Sequence, residues 1–244
     1  NKNKEIIHNN DSKKKRFENA GKKWTSDDKT SLFNLFEQKY MEKSWKIKKN
    51  PYQKYIIEES VKKWAQFLKE KKIKGKLLDV GCGNGKNSVY FAQKGFKVLG
   101  VDFNKEAINL SQKYANTKKS SAKFEIKDIT KKQFNNEKEY EVVIDCGCLH
   151  HLRKKYWNQY KKNILRLIKE KGYFYLHGFS VNSKKIDNVS KKRNWVVRKG
   201  HYTHFFSIKE VQDLFGKDFK IIETYEFKNL NNKFIVRTFY MQRI

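Results

Sequence analysis

Residues 77–85 read Leu77-Leu78-Asp79-Val80-Gly81-Cys82-Gly83-Asn84-Gly85. A short apolar run meets three glycines at alternate positions, and an amphipathic segment over 84–94 follows. That order is buried strand, tight turn, helix start. Glycines let the backbone take positive φ and approach a ligand closely. The helix start adds unpaired N–H groups. In open α/β sheets, ligands sit outside the carboxyl ends of the strands.

The turn also restricts the ligand. A dinucleotide fingerprint needs a third glycine at its sixth position, where this chain has Lys86. A Walker A loop has longer glycine spacing and a hydroxyl residue after its lysine, but Lys86 precedes Asn87. Asp79, just before the turn, disfavours a polyanion. Asp102 ends the next predicted strand, where a carboxylate can accept from two ribose hydroxyls. Asp128 ends the third, where an oxygen can accept from an adenine amino group. A cationic nucleoside fits this set.

The 244-residue chain continues in the same rhythm. Strands are predicted over 96–101, 123–126, 140–144 and 172–179, with helices over 104–116 and 153–170. Asn104 can cap its helix. Strands alternating with helices imply a parallel sheet with right-handed crossovers. The C-terminal part departs from that rhythm. A short helix over 207–215 opens on the capping-box pattern Ser207-x-x-Glu210. Two neighbouring strands, 219–227 and 233–242, then form a hairpin across 229–232. Ahead of the sheet, residues 1–23 read as a basic flexible arm. Residues 24–70 read as a helical extension, and 71–244 as the α/β domain.

The formal net charge is +30, which raises nucleic acid as a partner. Only seven of the 56 cationic residues are arginine, the residue that grips phosphate and base edges bidentately. The lysines run along the whole chain beside many Asn and Ile residues, so the charge reads as compositional bias before a dedicated surface. Cys82, Cys146 and Cys148 form no C-x-x-C pair, so neither a disulfide framework nor a zinc site is expected. No apolar run approaches the ~20 residues of a membrane span. The Asn/Lys-rich first residues lack a signal-peptide core. The cytoplasm is the expected compartment, and the oligomeric state stays open.

Leu78 to Gly85, with Asp102 seventeen residues beyond, resembles the first two motifs of class I S-adenosylmethionine-dependent methyltransferases. Val143-Ile144-Asp145-Cys146-Gly147-Cys148-Leu149-His150-His151-Leu152 is similar to that family's region after strand 4. Leu165-x-x-Ile168-Lys169-x-Lys171-Gly172-x-x-Tyr175-Leu176 resembles its turn into strand 5, with Lys171 where the family usually has proline. The resemblance implies a Rossmann-like, seven-stranded, mostly parallel sheet of order 3-2-1-4-5-7-6, with helices on both faces and a C-terminal antiparallel strand. It implies S-adenosyl-L-methionine as cofactor. Asp79, Gly81, Cys82 and Gly83 would border the methionine part, and Asp102 and Phe103 the ribose and adenine. Asp128 and Ile129 would meet the adenine edge, and Asp145 and Cys146 the amino-acid end. Later motifs, including Leu176-x-Gly178-Phe179-Ser180 and His204-Phe205-Phe206-Ser207, resemble the thiopurine and tellurite-resistance type, which methylates small heteroatom acceptors.

The acceptor should meet the cofactor at the carboxyl edge. His150 and His151 follow strand 4 and are the candidate catalytic residues, accepting a proton or orienting the acceptor; helix capping is the structural alternative. The long segment 181–206 reads as an aromatic lid, and Tyr40, Trp45, Trp195 and His204 are the candidate acceptor-binding residues. His201-x-x-His204 lacks partners for a metal site. RNA is the alternative acceptor, although the amino-methylase tetrad and the Pro-Cys nucleophile are both missing; the single proline is Pro51. A non-catalytic, methyltransferase-like partner protein is the third reading.

Overall fold

The computed structural model describes residues 55–131, 134, 138–186, 194–198, 201–228 and 234–244. The expected basic arm, and Tyr40 and Trp45 of the helical extension, lie outside the described residues.

Helix α1 (Glu59–Glu70) buries Val61, Trp64, Phe67 and Leu68 on one face. Its other positions are largely Lys, Glu and Gln, so the stripe alone fixes which side meets the sheet. There follow β1 (Lys76–Val80), α2 (Lys86–Gln93), β2 (Lys97–Asp102), α3 (Lys105–Thr117), β3 (Lys123–Ile126) and β4 (Tyr140–Cys146). The second half holds α4 (Trp157–Leu167), β5 (Ile168–Ser180), β6 (Trp195–Arg198), β7 (His201–Phe206), α5 (Ile208–Phe215), β8 (Phe219–Lys228) and β9 (Ile235–Arg243). Asn104 Oδ1 accepts from the N–H groups of Glu106 and Ala107, as expected of a cap. Ser207 and Glu210 form the full capping box.

Strands β3, β2, β1, β4 and β5 lie side by side and parallel. β9 runs antiparallel along β5, and β8 antiparallel along β9. Counting β8 and β9 as sixth and seventh, this is the expected 3-2-1-4-5-7-6 order. Alternation along the strands separates two cores. Leu78, Val80, Val143, Phe174, Leu176 and Phe239 face α4 and α5. Leu77, Val142, Ile144, Tyr175 and Tyr240 face α1, where Trp64 stacks on Tyr175 at 5.3 Å.

Two expectations are corrected. The helix expected over 153–170 is shorter: 3₁₀ turns occupy Leu149–His151 and Lys154–Tyr156, and α4 stops at Leu167. Ile168 is fully buried and pairs with Tyr140, so the chain joins the sheet before Gly172. The second correction concerns the lid. Much of 181–206 is a 3₁₀ turn (Val181–Ile186) and the antiparallel pair β6–β7. Its aromatic and β-branched residues suit a pleated surface. Phe205 and Phe206 pair in parallel with Phe179 and Ser180, so β7 extends the sheet along β5 beyond the end of β4. The seven expected strands are all present, and β6 and β7 bring the sheet to nine among the described residues.

Candidate cofactor and acceptor site

The turn after β1 holds Gly81, Gly83 and Gly85, with φ of +67°, +56° and +76°. L side chains rarely adopt such angles. The N–H groups of Gly81 and Cys82 both donate to the Val101 carbonyl, at 2.8 and 3.0 Å, fastening the turn to the end of β2. A Cβ on Gly81 would fall 2.6 Å from Cys148 Cβ, and one on Gly85 would fall 2.7 Å from Ser111 Cβ. The turn is thus clamped between the loop after β4 and helix α3.

Three buried carboxylates surround it. Asp79 Oδ2 accepts from Ser88 Oγ at 2.6 Å, which points this side chain at α2. Asp102 accepts from Gly83 N through Oδ2 at 3.1 Å and from Asn104 N through Oδ1 at 2.9 Å. Asp145 accepts four bonds: from the N–H groups of Gly147, Cys148 and Leu149, and from Tyr160 Oη at 2.6 Å. Burial raises Asp79 to about 7, and Asp102 and Asp145 to about 6. Asp145 and Asp102 also push Asp79 upward by repulsion. A cationic guest would relieve that repulsion, whereas a phosphate would worsen it. This acidic lining therefore fits a cationic sulfonium nucleoside.

The other expected cofactor residues divide. Phe103 stands at the rim, 40% exposed. Asp128 Oδ1 accepts from the N–H and hydroxyl of Thr130 at 2.9 and 2.6 Å. The Ile129 side chain is buried in the α4-side core and its carbonyl accepts from Asn163 Nδ2, so only main chain can face a nucleoside. The four bonds to Asp145 brace the loop after β4. Cys82, Cys146 and Cys148 are free thiols held protonated by burial, hence poor nucleophiles.

His150 and His151 lie together in the 3₁₀ turn, their Nε2 atoms 2.8 Å apart. His151 Nδ1 is 3.1 Å from the Tyr202 carbonyl, which can only accept. In a neutral pair, His151 donates there and keeps a lone pair on Nε2. His150 then donates from Nε2, and its Nδ1 carries the remaining lone pair. The His150 ring stacks on Phe179 at 4.8 Å, and Nδ1 lies 3.2 Å from where a Gly178 Cβ would be. His204 is not with them. It is fully buried, with Nδ1 3.2 Å from Tyr202 Oη and Nε2 3.2 Å from Glu210, and its ring lies edge-on to Trp157. Its neighbours hold β7 to α5, so it is a structural histidine. Trp195 is half-buried on β6, opposite His204 in register and 5.9 Å from the Tyr202 ring. Ser88, Tyr160 and the Tyr202 carbonyl carry no signal of these roles in the sequence. Each is contributed by a different element, and no spacing in sequence links it to its partner.

No helix among the described residues is long and apolar enough to cross a membrane. Residues 52–223 match the family described as "Methyltransferase domain". An uncharacterized methyltransferase of Schizosaccharomyces pombe is 27% identical over 139 residues, 57% of this chain and 89% of its own. A ubiquinone biosynthesis O-methyltransferase of Pelagibacter ubique is 27% identical over 124 residues, half of each chain. The solved structure of Burkholderia thailandensis 1,6-didemethyltoxoflavin-N1-methyltransferase, with bound 1,6-didemethyltoxoflavin and S-adenosylhomocysteine, superposes with a TM-score of 0.68. It is 16% identical and covers 92% of this chain and 93% of its own. At that identity the likeness is one of fold. With the family match spanning more than half its length, the chain belongs to the methyltransferase domain family and is a class I, S-adenosyl-L-methionine-dependent methyltransferase.

Proposed function

We propose that the protein methylates a small-molecule acceptor at a heteroatom. The carrying observation is the His150–His151 pair in the turn after β4, with Nε2 atoms 2.8 Å apart and His150 buried against Phe179. An imidazole held at the sheet's carboxyl edge suits an acceptor that loses one proton from sulfur, nitrogen or oxygen as it is methylated. A halide-like acceptor would need only positioning. The resemblance to thiopurine and tellurite-type enzymes supports thiols within this class. The small-molecule substrates in the names of the ubiquinone and toxoflavin enzymes support the class as a whole.

The bound cofactor supplies an activated methyl group on a sulfonium. The chain's residues bind, orient and shield it. Main chain at Gly81, Cys82 and Gly83 borders the methionine part. Asp102 accepts from the ribose hydroxyls, Phe103 covers the adenine, and Asp128 with the Ile129 main chain meets the adenine edge. Asp79, Asp145 and Cys146 keep the amino-acid end electronegative. His150 takes the acceptor's proton, and Trp195 flanks the acceptor's entry.

The charge of +30 favours RNA as the second reading. A labelled-methyl assay against separate thiol, amine, halide and RNA pools distinguishes the two. Between about 50 and 200 mM salt, binding driven by counterion release falls steeply. We expect RNA binding to collapse over that range while methylation of a small nucleophile persists. Salt-resistant, site-specific methylation of one RNA, without small-molecule turnover, would reverse the conclusion.

A further inference from the structure

A second group of charged residues meets at the carboxyl edge of the sheet, and none of it belongs to the glycine turn's own acids. Lys86, the first residue of α2, sends Nζ back to the Ile56 carbonyl at 3.2 Å. The same atom lies 3.7 Å from Glu58 Oε1. The other oxygen, Glu58 Oε2, lies 3.7 Å from His177 Nε2. His177 is buried on β5, opposite Cys146 in register, and its Nδ1 is 3.5 Å from Ser60 Oγ. Lys86 and Glu58 both act electrostatically on Cys146 and on His177, and Lys86 also on Asp79. These groups face one another across the ends of β1, β4 and β5, yet Lys86, Glu58 and His177 approach without closing to hydrogen-bond distance.

The strand order sets the direction in which a cofactor bound there would run. Asp128 follows β3 and Asp102 ends β2, so an adenosyl group held there runs from β3 towards β1. Whatever extends beyond its ribose must pass over the ends of β1 and β4. The cofactor's extension is an amino acid carrying one carboxylate and one ammonium. A lysine and a glutamate held 3.7 Å apart, with their hydrogen-bonding capacity not used on each other, present the complementary charges. His177 backs the glutamate from beneath.

We propose that Lys86 and Glu58 form the receptor for the zwitterionic end of the cofactor, Lys86 taking the α-carboxylate and Glu58 the α-ammonium. The assignment rests on the cofactor reading above and adds two residues to it. It gives the segment ahead of α1 a function: Ile56 and Glu58 hold Lys86 over the turn, so this segment is part of the binding site.

Calorimetric binding of two ligands tests this. S-adenosylhomocysteine has the amino-acid end; 5′-methylthioadenosine shares the nucleoside and lacks it. Lys86→Met should weaken S-adenosylhomocysteine about tenfold or more, as for loss of a charge-assisted hydrogen bond. It should leave 5′-methylthioadenosine within about twofold. Lys86→Arg should keep most of the affinity, and Glu58→Gln should repeat the selective loss. Equal weakening of both ligands, or no change in either, would overturn the assignment by making Lys86 structural or irrelevant. Failure of the unmodified protein to bind either ligand would instead overturn the cofactor reading, and this inference with it.

Discussion

Gly81 and Cys148 meet so closely that a side chain on the first would overlap the second: the Cβ-to-Cβ distance would be 2.6 Å. Their strands, β1 and β4, are neighbours, and the contact locks the glycine turn against the loop that carries His150. Gly81→Ala faces both this overlap and a φ of +67°. We expect it to lower the melting temperature and to abolish detectable S-adenosylhomocysteine binding. A folded Gly81→Ala protein binding with unchanged affinity in calorimetry would show that the loop yields freely.

Two backbone donors fix the orientation of Asp102, the proposed acceptor for the cofactor ribose. Asp102→Ala should weaken binding by about 1.5–3 kcal/mol, the range for hydrogen bonds to charged groups. Asp102→Asn keeps the shape but loses the charge and should fall between. Isothermal titration of the three proteins measures both steps.

The buried acids set a pH dependence with a definite sign. Asp79 near 7, and Asp102 and Asp145 near 6, bind protons more tightly folded than unfolded. For the ligand-free protein, their contribution is greatest below the unfolded carboxylate range and is lost as pH rises through about 6 to 7. Glu210, held well below its usual range chiefly by His204 and Lys154 against the cost of burial, acts oppositely. Its contribution is present above the unfolded pKa and is lost in acid. Cationic S-adenosylmethionine favours the ionised acids, so its affinity should rise from pH 5.5 to pH 8 more than that of uncharged-sulfur S-adenosylhomocysteine. Parallel titrations of both ligands across this window provide the check; equal slopes would contradict it.

His150 and His204 should separate by phenotype. His150→Ala should reduce turnover of a protic acceptor by about 10²-fold or more, the scale of general-base catalysis. Its S-adenosylhomocysteine affinity should change little. His204→Ala leaves the Tyr202 hydroxyl and Glu210 without their shared partner in a buried place. We expect a loss of about 1–3 kcal/mol in stability, with kcat retained at low temperature. Denaturant unfolding and steady-state rates on each variant test the contrast.

The elements legible from sequence were those whose signals are local. The apolar-glycine-helix order gave β1, its turn and α2. Asn104 and Ser207-x-x-Glu210 marked helix starts by side chain-to-backbone bonds that close within three residues. From sequence, 181–206 reads as an aromatic lid, because scattered aromatics between polar residues do not say which of them will find a partner strand. β7 is fixed by Phe205 and Phe206 meeting the last residues of β5, far away in sequence.

The sequence by itself determined the glycine turn, the acidic residues at the strand ends and the parallel sheet they terminate, because covalent spacing and backbone stereochemistry dictate these. Tertiary structure alone decided what each side chain does. It turned Asp145 inward to brace a loop with Tyr160, fifteen residues later. It sealed His204 beside Glu210, and set His150 against His151 with a carbonyl from β7 selecting the tautomer. It drew Glu58, Lys86 and His177 together from three separate elements. Hydrogen bonding and burial are properties of neighbours in space, and a chain acquires those neighbours only on folding.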